Sequence, residues 1–388
     1  MTKETIRKIL TRDFILVTFA QFAFLGVYNI LVPTLPIYLV KSGSGEVEIG
    51  IIVGVFFVSA LILRPFVGKA LLRTPEKTYM LAGGILFIVT CSGFFIAPPF
   101  WPLFFLRLFQ GIGLALFHTA CYTFAVNISP KEHVGQSLGY FFLANNISMA
   151  LFPSVGMFLI NDFGFPALFL TCVGLSLSTT LISGKLTRRV VAREPSDDKD
   201  EFLSWKSIPP SVVNFLINFV WGGINAFFPL YALSHGVSNS GLFFTAIAAM
   251  LFLGRIFGGK ILDVHSRDRI VLVLIGLSIL SMALLAVSKT LTMFILVGVI
   301  WGLGNSLLAP AVLTYVLDRA GDSRGPAMGM FLLISDLGLG LGSVIMGVVI
   351  RLSSYSIMFL GLAFVGVINL VYFHLFVRKR GPRPPQSS

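Results

Sequence analysis

The chain reads as an all-α polytopic membrane protein of twelve transmembrane helices arranged as two parallel six-helix repeats. Three observations predict it. Hydrophobic residues fill 56% of the 388 positions and charged residues 12%, with a mean hydropathy of +0.89, a balance that does not stay dissolved in water at this length. The apolar residues gather into twelve segments, each near the roughly 20 residues a helix needs to cross hydrocarbon. Lysines and arginines fall almost entirely on alternate loops. A β-barrel would instead alternate polar and apolar positions over about ten residues per strand, and runs such as Ile270 to Leu280 do not.

In chain order, span 1 (14–40) follows Lys3, Arg7, Lys8 and Arg12. It is too long for a secretory h-region, has no A-x-A-like site and runs on to Pro33 and Pro36, so it is read as a retained helix with no signal peptide evident. Spans 2 (47–71) and 3 (78–97) are joined through Lys69, Arg73 and Lys77, and spans 4 (101–126) and 5 (133–160) flank Lys131. Span 6 (164–184) ends at the only long polar connection, KLTRRVVAREPSDDKDEFLSWK, which carries both charge signs. It divides the chain into a bundle over 1–184, a cytoplasmic linker over 185–207 and a bundle over 208–388 with a short basic tail.

Spans 7 (208–234) and 8 (239–262) lead to Lys260, Arg267 and Arg269 before span 9 (268–287). Spans 10 (290–317) and 11 (325–350) flank Arg319 and Arg324, and span 12 (355–377) precedes Arg378, Lys379, Arg380 and Arg383. The opposite loops hold only Lys41, Lys289 and Arg351. Twenty-three cations against three put both termini in the cytoplasm of a multi-pass protein of the cell (inner) membrane. The net charge of +12 is thereby assigned to topology and not to nucleic acid. Cys91, Cys121 and Cys172 lie in apolar spans without ligand spacing, so no metal, disulfide framework or other cofactor is expected.

The halves echo one another. LRPFVGKALL at 63–72 aligns with GRIFGGKILD at 254–263, Pro36 and Tyr38 with Pro229 and Tyr231, and Gln110-Gly111-Ile112-Gly113 with Trp301-Gly302-Leu303-Gly304. Six helices per half make the repeats parallel, related by an axis along the membrane normal. With these residues on the page, the chain resembles the major facilitator superfamily over essentially its whole length, most closely the drug and metabolite efflux branch.

The run Gly259-Lys-Ile-Leu-Asp263-Val-His-Ser-Arg267-Asp-Arg269 resembles that family's G-x-x-x-D-x-x-x-R loop motif. Its first-half copy keeps Gly68, Lys69 and Arg73 but has Leu72 where the aspartate usually stands. The resemblance implies a cytoplasmic gate built from Arg64, Gly68, Arg73, Arg255, Gly259, Asp263, Arg267 and Asp318, intact only in the second half, with Arg255 paired to Asp318. A carboxylate near a helix N-terminus and glycines at a crossing suit that role; a solvated loop with topogenic charge is the plainer alternative.

Charge at bilayer depth costs about 2.5–3.5 kcal/mol on insertion scales, so each one asks for a reason. Arg107 opens Arg107-Leu-Phe-Gln110-Gly111-Ile-Gly113, resembling the helix 4 motif that the family associates with proton transfer. Arg107, Gln110, Leu114 and His118 share one helical stripe. An arginine does not release its proton at physiological pH, so it would tune a titrating partner or clamp backbone carbonyls. His118 has the side chain suited to proton handling, or is an interhelical hydrogen bonder. Asp336, the one acid placed deep in a span, is the leading proton site, or else forms a static ion pair with Arg64.

The resemblance puts helices 1, 4, 7 and 10 around a central cavity, which would receive Tyr28, Asn29, Tyr38, Gln110, His118, Trp221, Asn225, Tyr231 and Asn305, with Asn145 and Asn146 at its edge. Together they imply a neutral to weakly anionic, partly aromatic pocket for amphipathic cargo. Phe152-Pro153-Ser-Val-Gly156 is a faint version of the antiporter motif, and the glycines of Gly338-Leu-Gly340-Leu-Gly342 lack a P-loop ending, so ATP is not expected. No paired carboxylates, activated nucleophile or metal-ligand cluster marks an enzyme. The expected function is proton-coupled export of a small amphipathic molecule by a monomer in the lipid bilayer; nutrient uptake by the same reversible fold stays open, and a receptor or scaffold lacks the appended domain it would need.

Overall fold

Lipid-length apolar runs leave the backbone no hydrogen-bond partner but itself, and each becomes a helix. The computed structural model describes residues 8–71, 73–96, 100–130, 133–187, 207–264, 267–320 and 324–378, the side chains of 135, 255–264 and 324–326 excepted. In order come α1 (Arg12–Lys41), α2 (Glu46–Ala70), α3 (Glu76–Gly93), α4 (Trp101–Ile128), α5 (Val134–Asp162) and α6 (Gly164–Gly184). Then follow α7 (Ile208–Ser234), α8 (Gly241–Val264), α9 (Arg267–Leu285), α10a (Leu291–Ser306) with α10b (Leu308–Ala320), α11 (Arg324–Leu352) and α12 (Tyr355–Tyr372). Ten spans among the described residues are long and apolar enough to cross a membrane; α3 has 18 residues, and α8 has a shorter apolar stretch, Gly241–Gly254.

Where a helix begins outside the apolar run, a hydroxyl satisfies its free amides. Thr11 Oγ1 accepts from the Phe14 amide, Thr290 Oγ1 from Met293 and Ser354 Oγ from Ile357, each at 3.3 Å. Lys77, at the start of α3, donates to the carbonyls of Gly184 (2.5 Å) and Leu186 (2.8 Å) at the end of α6, a cation on a helix C-terminus.

Span 10 differs from the expected single helix of 290–317. It breaks at Leu307, because Pro310 has no N–H to give the Ser306 carbonyl and its ring crowds that turn. Asn305 Nδ2 donates to the Trp301 carbonyl at 2.9 Å and Ser306 Oγ to the Leu303 carbonyl at 2.8 Å, so side chains tie down the loose end. The last helix ends in a π-helical turn, Phe373–Val377.

Within the first half α1 packs on α5 and α6, and α4 on α2 and α3; within the second, α7 packs on α11 and α12, and α10a on α8 and α9. Between the halves run the seams α2–α11 and α5–α8, with α1–α7 between them. A six-helix repeat carries α2 onto α8 and α5 onto α11, so the two outer seams are one contact made twice. Two ends of the molecule are distinguished below: the termini face, where odd-numbered helices begin, and the far face, where they end.

The seams are sealed toward the far face by backbone. A Cβ on Gly50 or Gly54 of α2 would collide with the carbonyls of Ser343 and Gly340 of α11, one on Gly347 with the Glu46 carbonyl, and one on Gly241 of α8 with Pro153 and Ser154 of α5. Small residues thus let helices touch main chain to main chain. Ser343 Oγ donates to the Gly50 carbonyl at 3.1 Å, Ser154 and Thr245 share a hydroxyl contact of 2.9 Å, Thr245 Oγ1 donates to the Ala150 carbonyl at 2.6 Å, and Asn161 Nδ2 reaches Asn239 Oδ1 at 3.4 Å. Toward the termini face the α2–α11 seam loses this closeness: Gly68 and Gly329 have nothing within 4 Å of a would-be Cβ.

Candidate functional site

On the termini-face side of the Gly54–Gly340 contact, an ion pair joins the two bundles across α2–α11. Arg64 of α2 lies with Nε 2.9 Å from Oδ2 of Asp336 and donates from a terminal nitrogen to Oδ1 at 3.4 Å. The shorter approach is close but poorly aligned for a hydrogen bond, so the contact is foremost an ion pair. Asp336 is buried and Arg64 nearly so. A charge pair in such surroundings holds only while both partners stay charged, since removing either charge strands the other out of water.

Arg107 sits on the other side of the centre, held by α4. It is 4% exposed, donates to Gln110 Oε1 at 2.6 Å and lies over the Phe56 ring at 4.2 Å, a cation on an aromatic face. Gln110 passes the contact on to Cys91 of α3 at 3.6 Å. Gly111, the next residue, lets α4 touch α2, for a Cβ there would strike Ser59 Oγ and the Phe56 carbonyl. The glycine in the motif therefore seats Arg107 against Phe56.

Between the halves lies a cavity of about 10 Å³, lined by Tyr28, Leu31, Val32, Leu35, Val53, Phe57, Arg107 and Asn225, room for roughly one water. Asn225 of α7 donates to the Tyr28 hydroxyl of α1 at 3.4 Å, a polar contact across the α1–α7 crossing. Tyr28 also stacks on Phe56 with ring centres 5.8 Å apart and lies within electrostatic range of both Arg107 and Asp336.

Of the residues singled out from sequence, Tyr28, Arg107 and Asn225 meet at this cavity, with Gln110 directly behind. His118 is farther along α4, its ring 4.7 Å from that of Tyr122. Asn29 donates to Ser148 Oγ at 3.0 Å, and Asn145 accepts from Gln21 and donates to the Tyr122 hydroxyl at 3.1 Å, so these amides join α1, α4 and α5; Asn146 is half-buried beside them.

Four others are engaged in packing within one half. Tyr38 lies edge-on to Phe165 and Phe169 of α6; Tyr231 is 2% exposed and donates to the Ser288 carbonyl at 2.7 Å; Trp221 meets Trp301 edge to face at 5.6 Å; Asn305 bonds Trp301 and Ser278 of α9. The walls that sequence reasoning missed are Leu31, Val32 and Leu35 of α1 and Val53 and Phe57 of α2. Helix 2 was not expected to line the cavity at all. A signal existed in Gly50, Gly54 and Phe57, which share a helical face.

In the loop cluster at the termini face, Asp318 pairs with Arg267 at 2.9 Å, both partners being about half exposed, a setting in which such a pair contributes little. Asp268 accepts from the Tyr315 hydroxyl and lies 3.7 Å from Arg378, tying α9, α10b and the end of α12 together. Arg73 and Gly68 are exposed. Leu72 and the side chains of Arg255, Gly259 and Asp263 lie outside the described residues, as do residues 188–206 of the linker.

Comparison with known proteins matches residues 17–320 and 211–388 to the sequence model described as Major Facilitator Superfamily. The staphylopine export protein of Staphylococcus aureus strain Mu50 is 22% identical over 374 residues, 89% of this chain and 90% of that protein. The quinolone resistance protein NorA of Staphylococcus aureus strain MRSA252 is 23% identical over 373 residues, 89% of this chain and 92% of its own. Among solved structures, the nucleoside transporter NupG superposes with a TM-score of 0.77 at 15% identity, covering 94% of this chain and 99% of the other, a likeness of fold.

Proposed function

The chain belongs to the major facilitator superfamily and is a multi-pass membrane transporter rather than an enzyme, and from that premise we propose that it exports a small amphipathic compound by alternating access coupled to proton entry. Two bundles, 1–184 and 208–388, rock about the central cavity as a monomer in the cell membrane with both termini in the cytoplasm, the orientation favoured by the twenty-three cations on that side against three. In that orientation the termini face is cytoplasmic, and the close backbone contacts of both seams at the far face support a resting arrangement shut on the outer side. Export is favoured by the relatives named above, which include an export protein and a drug-resistance protein.

The observation that carries the coupling is the buried Arg64–Asp336 pair across the α2–α11 seam. Protonation of Asp336 would remove one of its two charges and weaken the bridge between halves, which links proton loading to their relative motion. Arg107 and His118 are assigned supporting roles in that chemistry, and the Arg267–Asp318 pair with Arg64, Arg73, Arg255 and Asp263 the role of cytoplasmic gate. The test is purified protein in liposomes with a pH-sensitive dye inside. Substrate added against an imposed pH gradient should dissipate it in the wild type and leave it intact in Asp336→Asn. Equal proton movement in the two would remove Asp336 from the coupling, and counterflow with no pH response would remove coupling from the reading and leave a uniporter.

A further inference from the structure

The charges within the spans do not balance. Among the described side chains away from helix ends, the cations are Arg64 and Arg107 and the anion is Asp336. Asp336 is committed to Arg64. Arg107 has no carboxylate within ion-pair distance among the described residues, and its Nε is buried without a hydrogen-bond partner. The neutral to weakly anionic pocket expected from sequence is therefore not what these residues make: Asp336 is neutralised across the seam, and the charge left facing the cavity is positive.

A buried guanidinium with a vacant donor is costly, and the ring of Phe56 and the amide of Gln110 offset that cost only in part. The other polar groups on the cavity add donors. The Tyr28 hydroxyl accepts from Asn225, which leaves its own proton free to be donated. The remaining walls, Leu31, Val32, Leu35, Val53 and Phe57, are apolar. Donors and hydrocarbon walls thus share one small space.

We propose that this cavity, between α1, α2, α4 and α7, is the site for the carboxylate of an amphipathic organic acid, with Arg107 and Tyr28 holding the carboxylate and α1 and α2 covering its apolar body. This rests on the transporter reading above and names the class of cargo for it. A guanidinium fork matches two carboxylate oxygens, which an ammonium does not. The cavity as it stands admits about one water, so the acid enters as the halves part, and its charge supplies what the site lacks.

The experiment uses the full-length protein in detergent and three matched pairs of probes: benzoate and benzamide, phenylacetate and phenylacetamide, hexanoate and hexanamide. Each is titrated by thermal shift, because a ligand that binds the folded state raises its melting temperature. At least one acid should stabilise the wild type saturably, with its amide at least ~tenfold weaker, since hydrogen bonds to charged groups are the stronger kind. Arg107→Gln should lose about tenfold or more of that affinity and Arg107→Lys somewhat less.

If no acid exceeds its amide in any pair, the proposal falls, and this comparison needs no variant that folds. An acid that binds Arg107→Gln as well as wild type overturns it equally. Liposome transport of the same probes separates the two levels. Movement of amides or neutral dyes without any acid preference leaves the exporter standing and removes the anion site. Arg107-dependent acid binding without translocation does the reverse.

Discussion

A single methyl group distinguishes the residues that fasten this molecule from those that merely fill it. Gly342 of α11 faces α7 so closely that a Cβ would meet the Phe219 carbonyl, whereas Gly276 of α9 has nothing within 4 Å. Gly342→Ala is expected to cost about 1–3 kcal/mol through forced separation of two helices, and Gly276→Ala to be neutral or to gain up to about 1 kcal/mol of helix propensity; melting curves of the two variants check the sign of each. At the ion pair, Arg64→Gln should leave Asp336 buried without its cation and lower thermal stability more than Arg64→Gln/Asp336→Asn together, because breaking a buried pair by one partner is worse than removing both. A double variant less stable than the single would show that the two side chains do not depend on each other.

Among the elements, the lengths and order of all twelve helices could be read from apolar runs and alternate basic loops, since hydrocarbon imposes both. The break in helix 10 was missed although Pro310 announced it, because mean hydropathy runs straight through a kink. Pro310→Ala restores the missing amide, and hydrogen exchange across Leu307 to Ala311 is expected to slow; unchanged exchange would place the cause of the break elsewhere. The Arg64–Asp336 contact was legible only as one of two readings of Asp336, because a lone acid deep in a span has few cations to choose from. The cavity lining was legible only at Tyr28, Arg107 and Asn225. Tyr38, Tyr231 and Asn305 carry polar groups that packing consumes inside one half, and only the rotation of each helix about its axis, set by neighbours and not by its own sequence, separates them from Tyr28 and Asn225.

At the scale of the whole molecule, the repeat makes two seams from one contact, and both are shut at the far face. A disulfide across one of them should hold it. The double variant Asn161→Cys/Asn239→Cys joins side chains that already touch at 3.4 Å, while Cys91, Cys121 and Cys172 are buried. Mild oxidation is expected to abolish transport and a reductant to restore it; full activity of the cross-linked protein would mean that the far face need not open. The unsealed end has a practical consequence as well. Gly68 and Gly329 stand on opposite bundles with open space where a side chain would project, so a fluorophore can be attached at each without displacing a neighbour, and the distance between the two labels reports the relative motion of the bundles one molecule at a time.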